Sequence, residues 1–180
     1  DNGGYSAPLY YRGFKKSLCT SLNHVVCHGV PSEDRILEEG DAVNVDVTAI
    51  INDHYGDTSR MFCIGKPSVK LDNLINATYD SMMSAIKILK PGIKLGDIGH
   101  TIQSHVEEQG FSVVRDFCGH GIGTSFHESP NILHYGNKNT GMPVKTGMTF
   151  TIEPIINAGK FNVKTLNDGW TAVTKDKSCL

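Results

Sequence analysis

Several absences narrow the possibilities first. No stretch of the chain approaches the roughly 18 consecutive apolar residues that a membrane-crossing helix needs. There is no low-complexity segment and no internal repeat of about 20–50 residues, which argues against solenoid and propeller arrays. Lys and Arg are scattered rather than gathered, and the formal net charge is −2. That excludes the basic footprint of a nucleic-acid binder. The five cysteines, Cys19, Cys27, Cys63, Cys118 and Cys179, include no C-x-x-C pair. This argues against a zinc ribbon or a redox motif and for reduced thiols packed as small apolar residues in a cytosolic protein. No secretory leader is visible, and the chain opens at Asp1 rather than methionine, so a processed or trimmed start is expected.

What is present fits a single domain of 180 residues, long enough to bury a sizeable core. Residues 1–20 are rich in Tyr, Gly and Pro and read as irregular. VNVDVTAI (43–50) alternates, with Val43, Val45 and Val47 on one face and Asn44, Asp46 and Thr48 on the other, as in a half-buried strand. NDHYGD (52–57) has turn chemistry and TSRMFCIG follows as the partner strand. Leu71, Leu74, Ile75, Thr78, Met82, Ala85, Ile86 and Leu89 recur at helical spacing, with Ser68 as N-cap and Pro91-Gly92 as a stop. A second helix is expected from about Asp97 to Gln109, striped by Ile98, Ile102 and Val106, and MTFTIEPIIN (148–157) reads as a strand. Helices gathered on one face of a mainly antiparallel sheet make an α+β layer architecture.

Asp46, Asp57, His120, His127 and Glu153 stand out chemically. Singly, each has a plain explanation: Asp57 beside a glycine is an ordinary turn residue, and a lone His is more often satisfied in the fold than a ligand. Together they say more. A hairpin can place Asp46 and Asp57 on one face, and Thr149, Thr151 and Glu153 share a strand face. His120 sits in the glycine-rich run GHGIGTSFHESP (119–130), where the backbone is expected to pass close to something. Three carboxylates and one imidazole form a mainly oxygen-donor set, suited to Mn, Co, Fe or Zn rather than to copper or a thiolate zinc site.

The motifs VVCHGVP (25–31), VNVDVT (43–48), HYGDTSRMF (54–62), GHGIGTSFHESP and MTFTIEP (148–154), with KSLCTSLN (16–23) and DGWTAVTKD (168–176), resemble the motif series of type I methionine aminopeptidases, in order and over nearly the whole chain. The resemblance implies the pita-bread (creatinase/aminopeptidase-like) fold, a pseudo-symmetric antiparallel sheet backed by helices. It implies two divalent metal ions held by Asp46, Asp57, His120 and Glu153, and hydrolysis of an N-terminal methionine by metal-activated water. Glu153 would shuttle the proton, His28 would position the scissile amide, and His127 would contact the scissile peptide. Tyr11, Phe14, Cys19, Phe126 and Trp170 would line the methionine pocket. His24, His54, His100, His105 and His134 match no ligand position and read as structural or solvent-facing.

The implied substrates are new polypeptide N-termini with a small second residue, and the implied setting is a cytoplasmic monomer that meets the ribosome transiently. The short segment between His127 and Glu153 resembles type I rather than type II members. Lys15 stands where the family usually has Pro. The family's N-terminal helical segment and the Glu of its Q-x-E-H-T-like motif are not among these residues, so a longer chain is expected. Two alternatives remain: an X-Pro aminopeptidase or prolidase on the same fold, and a non-catalytic pita-bread binding module.

Overall fold

Every strand pairing in the computed structural model, which describes residues 3–180, is antiparallel. Asp1 and Asn2, the start of the stretch expected to be irregular, lie outside the described residues. In chain order the strands are β1 (Tyr5–Ser6), β2 (Cys19–Leu22), β3 (Val25–Cys27), β4 (Ala42–Ile51), β5 (His54–Cys63), β6 (Ser112–Val113), β7 (Gly119–Gly121), β8 (Glu128–Ile132), β9 (Ile156–Asn157), β10 (Val163–Thr165) and β11 (Ala172–Thr174). Helices α1 (Val69–Lys87) and α2 (Leu95–Glu107) lie between β5 and β6. Strand β4 pairs with β1, β2 and β5; β11 joins β10 to β3; β6 pairs with β9 and β7 with β8. The α+β class therefore holds.

The β4–β5 hairpin is the most regular element, but its turn is tighter than expected. Only Asn52 and Asp53 leave the ladder, both at positive φ (50° and 61°). A two-residue turn of this kind matches the twist of the flanking strands, and Asn and Asp tolerate it. Asp57 is thus a strand residue opposite Thr48, not part of the turn. The covered face also departs from the simple rule. Thr48, on the polar side of β4, is 2% exposed, whereas Val47 on the valine side is 36% exposed. Alternation separates two faces without saying which one the rest of the protein covers.

Helix α1 is capped by Ser68, whose Oγ accepts from Leu71 N at 3.2 Å, and buries Leu71, Leu74, Ala77, Ser81 and Ala85. Ile86, expected on the buried stripe, is exposed. Helix α2 begins two residues earlier than expected, because Asp97 is not its first residue but closes the cap: Lys94 N donates to Asp97 Oδ2 at 2.8 Å. The helices pack on each other and on β6, β8 and β9. Between them Leu74, Ile98, Ile102, Val106, Val113, Ile132 and Ile156 form the main core. Each fully buried Ile or Leu contributes about 1.5–3 kcal/mol.

The strand expected over 148–157 is regular only at β9, with an isolated bridge between Gly121 and Phe150. The backbone of Thr151 donates to His120 O at 2.8 Å, but the returning bond from His120 N goes to Thr151 Oγ1 at 3.0 Å. A hydroxyl has taken the place of the carbonyl that would continue the ladder. Pro154 then supplies no N–H at all. The segment runs as an extended strap over β7.

Candidate metal centre

Two independent pieces of backbone carry acidic groups to one place. From the hairpin, Asp46 and Asp57 share the polar face of β4–β5, since Asp57 lies opposite Thr48 and Thr48 is two residues from Asp46. From the strap comes Glu153, and from β7 comes His120. The ligand atoms of Asp57, His120 and Glu153 all lie within 4.8 Å of one another. His120 Nε2 is 3.6 Å from Asp57 Oδ2 and 3.4 Å from Glu153 Oε1. Its Nδ1 lies 3.0 Å from Gly121 O, so the ring donates there and turns Nε2 toward the carboxylates. Asp46 stands beside this trio, not within its spacing: its carboxyl interacts with Asp57 and Glu153 but does not complete a tighter group of four.

Burial, then the negative charges of Asp57 and Glu153, push the Asp46 carboxyl up to about 7. Glu153 keeps 41% of its side chain open at the edge of the site, yet the protein packed around its carboxyl still raises it to about 7, mainly by desolvation and further by Asp57. Burial lowers the His120 pKa, but its contacts with Asp57, Gly121 O and Glu153 outweigh that and raise it overall. Among the described residues no Lys or Arg makes an ion pair with these carboxylates. Oxygen donors that repel one another, one correctly turned imidazole and no cation of the protein's own make a set that fits a divalent metal ion.

Thr151 ties the strap to β7. Its hydroxyl accepts from His120 N and donates to Glu153 Oε1 at 2.6 Å, so Thr151 and Glu153 do share a face. His134, read from sequence as structural or solvent-facing, is 2% exposed, and its Nε2 accepts from Glu153 N at 3.1 Å. The glycines of the 119–130 run do mark a close approach, as expected. A Cβ on Gly119 would stand 2.5 Å from Thr151 O, and one on Gly121 would collide with Ser129 O. The close approach is to neighbouring backbone: these glycines let the strap and β8 crowd β7.

Aromatic rings gather in two groups, of which the first touches His120. Phe126 stacks on His127 (4.1 Å between centroids, 29°), and Tyr11 meets Phe126 at 5.0 Å and His127 at 5.5 Å. The rings of His120 and His127 are 4.2 Å apart. In the second group Phe14 meets Trp170 edge-on at 5.1 Å, and His28 stands 6.2 Å from Trp170 and 5.4 Å from Phe117. His28 occupies the left-handed region (φ 54°), an uncommon and costly conformation for a non-glycine residue, and burial lowers its pKa. Cys19 pairs directly with Asp46 across β2–β4; burial and then the charges of Asp46 and Asp57 push its thiol up to about 12. All five cysteines are free. Sequence reasoning missed Tyr55, stacked on Phe126 at 5.6 Å, and Phe117. An aromatic residue two positions before Asp57 was the available signal for Tyr55.

A carboxylate–imidazole cluster with no Lys or Arg ion-paired to it among the described residues, carried by antiparallel strands and the strap, defines a class: a candidate divalent-metal centre. The chain belongs to metallopeptidase family M24, whose family model matches residues 2–175. A curated methionine aminopeptidase of Rickettsia prowazekii (strain Madrid E) is 56% identical over 173 residues, 96% of this chain and 66% of that protein. The chain therefore spans about two thirds of that relative's length. The crystal structure of methionine aminopeptidase from Rickettsia prowazekii superposes with a TM-score of 0.96 at 54% identity, covering 98% of this chain and 71% of that one. The fold is accordingly the pita-bread fold. Prolidase from Pyrococcus furiosus, at 24% identity and a TM-score of 0.68 over 91% of this chain and 47% of that one, shares the fold alone. No helix in the described residues is long and apolar enough to cross a membrane.

Proposed function

We propose that this protein is a metal-dependent methionyl aminopeptidase that hydrolyses the first peptide bond of chains beginning with methionine and a small second residue. The observation that carries the reading is the Asp57–His120–Glu153 trio with aromatic rings beside it. The 56% identity to a methionine aminopeptidase favours it over the X-Pro aminopeptidase or prolidase alternative, whose solved representative is only 24% identical. The presence of the donor set weighs against a non-catalytic module. We read residues 1–180 as one catalytic unit.

In this reading Asp46, Asp57, His120 and Glu153 would hold two divalent ions (Co, Mn, Fe or Zn), which supply an acidified water and a polarised carbonyl when bound. Glu153, the strap carboxylate, accepts and returns the proton. His127 offers an N–H to the oxygen on which charge develops at the scissile carbon. His28, held neutral by burial, orients the scissile amide. Tyr11, Phe14, Cys19, Phe126 and Trp170 form a wall of rings and one soft sulfur suited to a thioether side chain. A thiol pushed up to about 12 stays protonated at neutral pH, so Cys19 serves there as a small neutral surface, not as a nucleophile. We further propose a cytoplasmic monomer, the state expected of the family, working near nascent chains and in the transient contact with the ribosome that such substrates imply.

The test is Glu153→Ala. Turnover of a Met-Ala peptide should fall by about 10²–10⁴-fold, the range a general base supplies, while circular dichroism shows the fold retained. Near-wild-type hydrolysis by the folded variant refutes the role of Glu153, and preferred cleavage of X-Pro peptides by the wild type refutes the substrate class.

A further inference from the structure

Tyr11 does something that a pocket wall does not require. Its hydroxyl lies 3.1 Å from Nδ1 of His127, across 116 residues of sequence. A phenol at neutral pH has one hydrogen to donate, and a neutral imidazole has one nitrogen that donates and one that accepts. Among the described residues the Tyr11 hydroxyl has no other hydrogen-bond partner, and His127 Nε2 has none. If Nδ1 carried the hydrogen, the phenol's hydrogen would have only water to meet and Nε2 would offer only a lone pair. With the phenol donating to Nδ1, the phenol hydrogen has a protein acceptor and the imidazole hydrogen is on Nε2, open to a bound peptide. Second-sphere partners select imidazole tautomers in this way in metal sites and catalytic triads alike.

The backbone that delivers Tyr11 is built at some cost. Tyr11–Gly13 form a single 3₁₀ turn, flanked and interrupted by two bulky residues in the left-handed region, Tyr10 (φ 67°) and Arg12 (φ 46°). Such residues cost about 1–3 kcal/mol each and persist only where the surroundings over-determine them. Here Tyr10 N donates to Phe14 O at 2.6 Å and Phe14 N donates back to Tyr11 O at 2.9 Å, closing the turn on itself. One turn thereby sends Phe14 into contact with Trp170 and Tyr11 toward His127. Phe126, stacked on the other partner, limits rotation of the His127 ring.

We infer that Tyr11 is a positioning residue: its hydroxyl donates to His127 Nδ1 and fixes His127 as an Nε2–H donor. This rests on the reading of His127 as the group that meets the scissile peptide, and it adds to the pocket role of the Tyr11 ring a separate task for its oxygen. Tyr11→Phe separates the two tasks, because it keeps the ring and removes only the hydroxyl. On a Met-Ala peptide kcat should fall about tenfold, the effect of one ordinary hydrogen bond, with KM unchanged. A wall alone predicts no change in either. Nitrogen-15 spectra of the imidazole rings, with His127 assigned from a His127→Gln sample, read the same bond without turnover. The wild type should show a hydrogen-bearing Nε2 and an accepting Nδ1, and Tyr11→Phe a mixture of tautomers. Unchanged kcat in Tyr11→Phe overturns the inference, as does a wild-type ring with hydrogen on Nδ1. If the wild type turns over no methionyl peptide, the peptidase reading fails, and the ring spectrum alone decides the hydrogen bond.

Discussion

The β4–β5 hairpin and the strap at 148–157 deliver acidic groups to the same centre by different physics. In the hairpin, ten residues on each strand pair without a break, and the two-fold alternation of the pleat places Asp46 and Asp57. In the strap the ladder fails, and hydroxyl and imidazole bonds place Glu153: Thr151 on its carboxylate, His134 on its N–H. A pleat is rigid because many backbone bonds share the load. The strap depends on a few side chains and on glycines that let it lie close to β7. Damage to the hairpin's carboxylates should therefore act through charge, and damage to the strap through geometry.

The largest expected effect tests the charge side. Asp46→Asn should weaken divalent-cation binding by at least about 100-fold, since it removes a proposed ligand and the loss of a mere outer-sphere partner already costs 10–100-fold. The same change should raise the melting temperature of the metal-free protein, because it relieves repulsion among Asp46, Asp57 and Glu153. Calorimetric titration and thermal melts with and without cation read the two signs; a metal-free protein destabilised by Asp46→Asn would contradict the repulsion argument.

Next comes the crowding of the strap. Gly119→Ala should cost about 1–3 kcal/mol, because the added carbon meets Thr151 O at 2.5 Å and that oxygen is backbone. Gly56→Ala in the hairpin meets nothing within 4 Å and should change stability by less than about 0.5 kcal/mol. Equal urea midpoint shifts for the two variants would erase the distinction between the regions.

Thr151→Val keeps the shape and removes the hydroxyl. It leaves His120 N without its acceptor and Glu153 without its donor, so a loss of about 1–2 kcal/mol in stability and about tenfold in kcat is expected. A drop in stability with kcat untouched would mean that the hydroxyl serves the ladder alone.

The smallest effect is one of pH. Asp46 and Glu153 have folded pKa values raised to about 7 from ordinary values of 3.8 and 4.5. Raised groups contribute stability that is present below the unfolded pKa and lost as pH climbs through the folded one. His120, also raised, acts in the same direction. His134 is lowered to about 4 from 6.5, so its opposing contribution changes only between those values and is constant above pH 6.5. The metal-free melting temperature should therefore fall by a few degrees between pH 6.5 and 8, a fall that Asp46→Asn reduces and added divalent cation reverses. A flat metal-free profile over that interval would remove the basis for strained carboxylates.

Much of this was legible beforehand. The α+β class, both helices, the Ser68 cap and the β4 strand follow from local patterns, and the structure keeps them. The errors share a cause. The turn at 52–57 shrank to two residues because strand pairing overrode the turn chemistry of Tyr55, Gly56 and Asp57. The strand at 148–157 dissolved because a threonine hydroxyl out-competed a carbonyl for His120 N. His134, read as structural or solvent-facing, is structural; what no side-chain pattern shows is its partner, the N–H of Glu153.

The sequence by itself determined that Asp46 and Thr48 share a face, that Ser68 begins a helix, and that Gly119 and Gly121 mark a close approach. These follow from covalent geometry acting over a few residues, so short stretches carry them in full. Only the tertiary structure decided that the polar face of β4 is the covered one at Thr48, that Asp57, His120 and Glu153 converge within 4.8 Å, and that Tyr11 reaches His127. Those depend on how segments far apart in the chain pack against one another, and no local period records which distant segment will arrive.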